Sequence, residues 1–124
     1  MWTKKLKNFF FVALLFTTSA LAAQSDFGGL WYAEEMDKAT IEVYQSGDDL
    51  WYAKVTKSED AKAVNSVIFE KGEYDSNKNE LKGTLIKPGG NMRIDATISL
   101  ENKEKAKIVG KKFFMTKTFY WAKM

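Results

Sequence analysis

The sequence predicts an all-β fold, a small antiparallel up-and-down barrel of about eight strands, and three observations carry that prediction. Period-two alternation of apolar and polar residues dominates the chain, while helical periodicity is hard to find. Turn-forming clusters separate the alternating runs at hairpin spacing. A glycine pair followed at once by aromatics, Phe27-Gly28-Gly29-Leu30-Trp31-Tyr32, opens the domain, and the aromatic run Phe119-Tyr120-Trp121 closes it. These two runs suit a first and a last strand that return to one another, with hairpins between.

Taken in chain order, residues 1–23 stand apart from the fold. Lys4, Lys5 and Lys7 form a basic leader, Phe9 to Phe16 an apolar core too short for a membrane anchor, and Ala20-Leu21-Ala22 a small-residue cleavage site. This pattern predicts a secretory signal peptide cut after Ala22, with Ala23 as the second choice, and no cysteine follows the cut to carry a lipid. A buried N-terminal helix suits the run less well, because no polar face accompanies it. The expected location is periplasmic or secreted, from a bacterium, with no transmembrane segment left after cleavage. Residues 24–124 then make a single domain of about 100 residues, enough for one core.

Within that domain Ile41 and Val43 alternate with Glu42 and Tyr44, and Trp51, Ala53 and Val55 alternate with Tyr52 and Lys54. The polar stretch from Ser58 to Asn65, with alanines at 61 and 63, reads as a loop or one helical turn, and Val67 to Tyr74 resumes as a strand. Leu81, Gly83 and Leu85 share one face of the next run. The clearest strand puts Met92, Ile94, Ala96, Ile98 and Leu100 on one face and Arg93, Asp95, Thr97 and Ser99 on the other. Ala106 and Ile108 continue the pattern. Between the runs lie Ser46-Gly47-Asp48-Asp49, Asp75 to Asn79, Pro88-Gly89-Gly90-Asn91 and Glu101-Asn102-Lys103, all rich in turn residues. Barrel closure removes the two edges that an open sheet would expose.

Composition excludes several chemistries. Removing the three leader lysines from 19 basic residues leaves 16 against 16 acidic ones, so the domain is formally neutral and gives no sign of nucleic-acid binding. With no cysteine and no histidine, disulfides, thiol chemistry and the commonest metal ligand are absent. Asp75-x-Asn77-x-Asn79 begins like a calcium loop but carries Glu80 where glycine is needed and Ile86 where the last carboxylate belongs. Glu34-Glu35 and Asp48-Asp49 are neighbours in sequence, so on a strand each pair would point to opposite faces. No Gly-x-Ser-x-Gly elbow and no phosphate loop occur. The expectation is a protein without catalytic residues, metal or cofactor; a hydrolase would have to work with carboxylates, tyrosines and lysines alone, and stays open as a third reading.

Charge is nonetheless uneven: residues 24–60 hold nine acidic and three basic side chains, whereas residues 103–124 hold seven lysines and one glutamate. Two readings stand. A basic strip could dock on an anionic envelope surface or partner, or closure could set the basic last strand beside the acidic first one, giving cross-strand ion pairs worth a few tenths of a kcal/mol.

Gly29-Leu30-Trp31, Ile41-Glu42-Val43-Tyr44, Gly72-Glu73-Tyr74-Asp75 and the ending Thr116 to Lys123 resemble a bacterial family of exported proteins known as domain of unknown function 2147. The resemblance covers nearly the whole domain, in order. It implies a barrel of the calycin or lipocalin kind, in which the tryptophan of the first strand plugs one end and a basic side chain near the last strand packs over it. Carried to this chain, Trp31 is the plug and Lys123 the cover, with Arg93, the only arginine, as a second choice. Many members carry an insertion with aspartate and proline after the third strand; Ser58 to Ser66 contains no proline, so nothing attached to that insertion transfers.

Thirteen aromatic residues belong to the domain. They either line a lumen for an apolar or amphipathic ligand or fill it themselves. On the first reading the candidate ligand-binding residues are Trp31, Trp51, Ile94, Phe119 and Trp121, with Arg93 or a lysine at the rim to pair an acid group. On the second the barrel is a solid-core, envelope-associated interaction module acting through its tyrosine face or its lysine-rich final strands.

Overall fold

The computed structural model describes residues 23–88 and 90–124. The expected signal peptide lies outside the described residues apart from Ala23. The chain forms β1 (Gly29–Ala33), β2 (Ala39–Gln45), β3 (Trp51–Lys57), a 3-10 turn (Ala61–Ala63), β4 (Val67–Asp75), β5 (Glu80–Ile86), β6 (Arg93–Asn102), β7 (Lys105–Lys112) and β8 (Met115–Lys123). Each strand pairs antiparallel with the next, and β8 returns to β1 through Trp31↔Lys123 and Tyr32↔Ala122, which closes the barrel. The polar stretch after β3 resolves into the single 3-10 turn, capped where the Asp60 carboxylate accepts from the Lys62 amide.

Alternation decides what is inside. Trp51, Ala53 and Val55 are buried while Tyr52, Lys54 and Thr56 between them are half-exposed. Ile41 and Val43, Ala96 and Ile98, and Ala106 and Ile108 repeat the arrangement, so every strand from β2 onward presents an apolar side to one shared core. Met92 breaks the expected inward face of its run: it precedes β6, in the turn, and is 51% exposed.

Two glycines are required by geometry. Gly29 has φ +120°, and a Cβ there would fall 2.7 Å from the Lys123 Nζ, so only glycine lets the last strand's lysine reach across the first. Gly83 faces a bulge in β4, where the register shifts between Glu70 and Glu73 and Lys71 turns to φ 53°. A Cβ on Gly83 would lie 2.6 Å from the Glu70 carbonyl oxygen, backbone against side chain.

The meander sorts its turns to two ends. Residues 46–50, 76–79 and 103–104 lie at one end, and residues 34–38, 58–66, 87–88, 90–92 and 113–114 at the other. Ion pairing between first and last strands does not occur among the described residues. The five residues of β1 carry no charge, because Glu34 and Glu35 fall in the following turn. The pairs that form are Lys38 with Glu59, Lys54 with Glu42, Arg93 with Glu70 and Lys105 with Glu101.

Candidate functional site

One end of the barrel is solid. Phe27 lies just ahead of β1, 1% exposed, with its ring centroid 6.5 Å from that of Trp51 and 6.1 Å from that of Tyr74. Its carbonyl accepts the Trp31 indole N–H at 2.9 Å, and the Trp51 N–H donates to the Gln24 side chain at 3.1 Å. Lys123 covers this plug. Its Nζ is 4.7 Å from the Trp31 ring centroid and donates to the Gly28 carbonyl. The cover that the resemblance assigned to Lys123 is therefore where it was expected. Arg93, the second choice, is elsewhere and pairs with Glu70.

The other half of the barrel is hollow. A cavity of about 360 Å³ opens toward the end that carries Met36, Asp37, Lys87, Pro88 and Met92. Its deeper wall comes from strand residues, chiefly Val55, Ile108 and Trp121, each at most 1% exposed. Leu85, Ile94 and Phe119 continue the wall outward, half-buried. The mouth carries Met36, Pro88 and Met92 with three charged residues, Asp37, Lys87 and Lys117. The Trp121 Nε1 is itself buried and has no hydrogen-bond partner among the described residues. A buried donor without an acceptor costs roughly 1–3 kcal/mol.

Of the residues expected to line a lumen, Ile94, Phe119 and Trp121 do so, whereas Trp31 and Trp51 belong to the plug. Arg93 is not on the wall, since alternation turns it outward when Ile94 on its C-terminal side points in. The rim cations are instead Lys87 and Lys117; the Lys117 Nζ stands 5.2 Å from the Phe119 ring centroid. Leu85 and Val55 were visible in the alternating faces of their strands. Met36, Lys87 and Pro88 come from turns, which alternation does not describe.

The mouth is electrically divided. Glu34, Glu35 and Asp37 with Lys38 follow β1, and Glu59 and Asp60 with Lys62 follow β3, so these two turns are net acidic, with Lys38 pairing Glu59. Partial burial, with the Glu34 and Glu59 carboxylates, raises the Tyr32 hydroxyl above its ordinary pKa. The opposite side, from β5 to β8, carries Lys87, Lys111, Lys112 and Lys117. Among the described residues no group of three or more Asp, Glu, His or Cys could hold a metal ion, and no helix is long and apolar enough to cross a membrane.

Searches against family models and against curated proteins return no match. Among solved structures the chain is similar to "Protein HP1028 from the human pathogen Helicobacter pylori belongs to the lipocalin family", with a TM-score of 0.61 and 13% identity over 79% of this chain and 82% of that one. At that identity the likeness is one of fold: this chain is an eight-stranded antiparallel barrel of lipocalin shape.

Proposed function

We propose that this protein is an exported bacterial barrel, periplasmic or secreted, that binds a small apolar or amphipathic molecule in its hollow half and does no catalysis. The observation that carries the reading is the one-ended cavity, apolar along its wall and charged only at its mouth. At about 360 Å³ it sits at the lower end of the roughly 300–1,000 Å³ typical of small-molecule sites. Taking ~30 Å³ per water-sized group, it has room for on the order of a dozen such groups. Each buried CH₂ would contribute about 0.8 kcal/mol, and Lys87 or Lys117 would meet an acid group at the rim. The lipocalin shape supports ligand binding in general terms, and the resemblance to the domain of unknown function 2147 family belongs to the same reading.

The test is titration of the folded protein with N-phenylnaphthylamine, a lipophilic fluorophore, alongside the variant Ala39→Leu. Ala39 is buried on the cavity wall, so the larger side chain occupies ligand space. Probe fluorescence should rise saturably with the parent and more weakly with the variant, and at a hundredfold excess over Kd the ligand should stabilise the parent by about 2.7 kcal/mol. No probe binding by the folded parent, or equal binding by the filled variant, would return the barrel to a solid-core module.

A further inference from the structure

The β7–β8 hairpin ends in a loop that the fold does not need. Lys112 pairs with Met115, so Phe113 and Phe114 are the whole of the turn. Phe113 takes φ 57°, a conformation that two-residue hairpins give to glycine, asparagine or aspartate. No packing compensates for that choice: Phe113 is 91% exposed, Phe114 98% and the following Met115 72%. Large apolar residues gathered this way at one tip are not the scattered exposure of an ordinary surface.

The charges around the tip indicate what it meets. Lys111 and Lys112 precede it and Lys117 follows, all exposed, and none forms an ion pair among the described residues. The Lys112 Nζ stands 5.9 Å from the Phe113 ring centroid; Asp95 lies opposite Lys111 in the β6–β7 register. The turn before β6, with Lys87 and the exposed Met92, leaves the barrel at the same end. A second copy docked tip to tip would bring these lysines against one another. An anionic lipid surface satisfies both parts, taking the phenyl rings among its acyl chains and the ammonium groups at its headgroups.

The geometry points to the Phe113-Phe114-Met115 tip, with Lys111, Lys112 and Lys117, as a membrane-docking device that seats the cavity mouth on an anionic lipid surface. Docking is one-sided, because the turns after β1 and β3 on the other part of the rim are net acidic, with five carboxylates against Lys38 and Lys62. The inference does not require an occupied cavity, and its readout is separate from probe titration in solution.

The experiment is co-sedimentation with vesicles of equal parts phosphatidylglycerol and phosphatidylcholine, and with vesicles of phosphatidylcholine alone. Protein recovered after export is used, its N-terminus fixed by mass spectrometry and identical in every variant. The parent should bind the anionic vesicles and lose binding as salt is raised. Replacing Phe113→Asn with Phe114→Ser should weaken partitioning at least about tenfold without lowering Tm, because neither ring packs in the folded state. Each of Lys111→Gln, Lys112→Gln and Lys117→Gln should weaken it by about fivefold. Failure of the parent to bind anionic vesicles at low salt overturns the inference, as does binding by the double phenylalanine variant that matches the parent. A parent that sediments as a dimer and becomes monomeric on the same substitutions would show the tip to be a contact between copies, and also overturns it.

Discussion

Removing the plug at its two ends tests whether Trp31 and Lys123 act as a unit. Trp31 is 1% exposed, and truncating a buried tryptophan to alanine costs about 3–5 kcal/mol. A domain of this size has only about 5–15 kcal/mol in all, so the more informative change is Trp31→Leu, which keeps apolar bulk while removing the ring and its 2.9 Å bond to the Phe27 carbonyl. Lys123→Met keeps the aliphatic stem but removes the ammonium that lies 4.7 Å from the ring centroid and donates to the Gly28 carbonyl. The charged hydrogen bond is worth about 1.5–3 kcal/mol and the ring contact about 0.5–2 kcal/mol, depending on how far the cation is desolvated. Only the ring contact is shared, so the double variant should be about 0.5–2 kcal/mol more stable than the sum of the single losses implies. Urea unfolding followed by far-UV circular dichroism and by tryptophan fluorescence, to which Trp51 and Trp121 contribute in every variant, measures all four proteins, with equal m-values required. Losses that add within about 0.3–0.5 kcal/mol would refute the coupling and reduce Lys123 to a tether on Gly28.

Two further outcomes follow from local geometry. Gly83→Ala sets a Cβ 2.6 Å from the Glu70 carbonyl oxygen and should cost about 1–3 kcal/mol, whereas Gly47→Ala, with nothing within 4 Å, should be neutral or gain about 0.4–1 kcal/mol; thermal melts of both variants decide this. The Tyr52 hydroxyl donates to the Asp48 carboxylate at 2.7 Å, and this bond, with the Leu50 amide, holds Asp48 below the usual carboxylate range. A lowered folded-state pKa means that Asp48's contribution is present above its unfolded pKa and is lost as pH falls through the folded one. The same bond raises Tyr52, whose contribution is lost as pH rises through its folded pKa, above about 10. In Tyr52→Phe the Asp48 midpoint, read by NMR titration, should move up toward the ordinary value; an unmoved midpoint would show that the Leu50 amide alone sets it.

The barrel was legible because one physical rule governs most of it. A half-buried antiparallel strand must alternate, and Ile94, Ala96 and Ile98 or Trp51, Ala53 and Val55 show it without interruption. What alternation cannot give is height along the barrel axis. Trp31, Trp51 and Trp121 all read as inward residues, yet two form the plug and one lines the cavity, a difference set by strand register and by the bulges in β4. The rim was legible only in part, since turn residues such as Met36 and Pro88 owe their place to where the hairpins end. Arg93 illustrates the remaining gap: its partner Glu70 is 23 residues away on a strand that is not its neighbour in sequence. The lysine excess of the final strands was plain, but its use depends on the bare Phe113-Phe114 turn between them, and alternation treats those two phenylalanines as ordinary apolar residues.

The seam between β1 and β8 has a kinetic consequence. Every other pairing joins strands adjacent in sequence, so the hairpins close over short loops, an event of about 1–10 μs each. The seam alone joins Trp31 to Lys123 and Tyr32 to Ala122 across almost the whole barrel, with the Met124 amide adding a bond to the Leu30 carbonyl at 3.1 Å. Loop-closure entropy therefore concentrates in one step. The β7–β8 ladder runs from Lys105↔Ala122 to Lys112↔Met115, and against such a neighbour the short seam is the joint that forms last and parts first. Native-state hydrogen exchange should find the amides bonded across it opening at lower free energy than those in the middle of β6 and β7. The barrel then behaves as a rolled ribbon fastened at one narrow clasp, and the clasp is Trp31 held under Lys123.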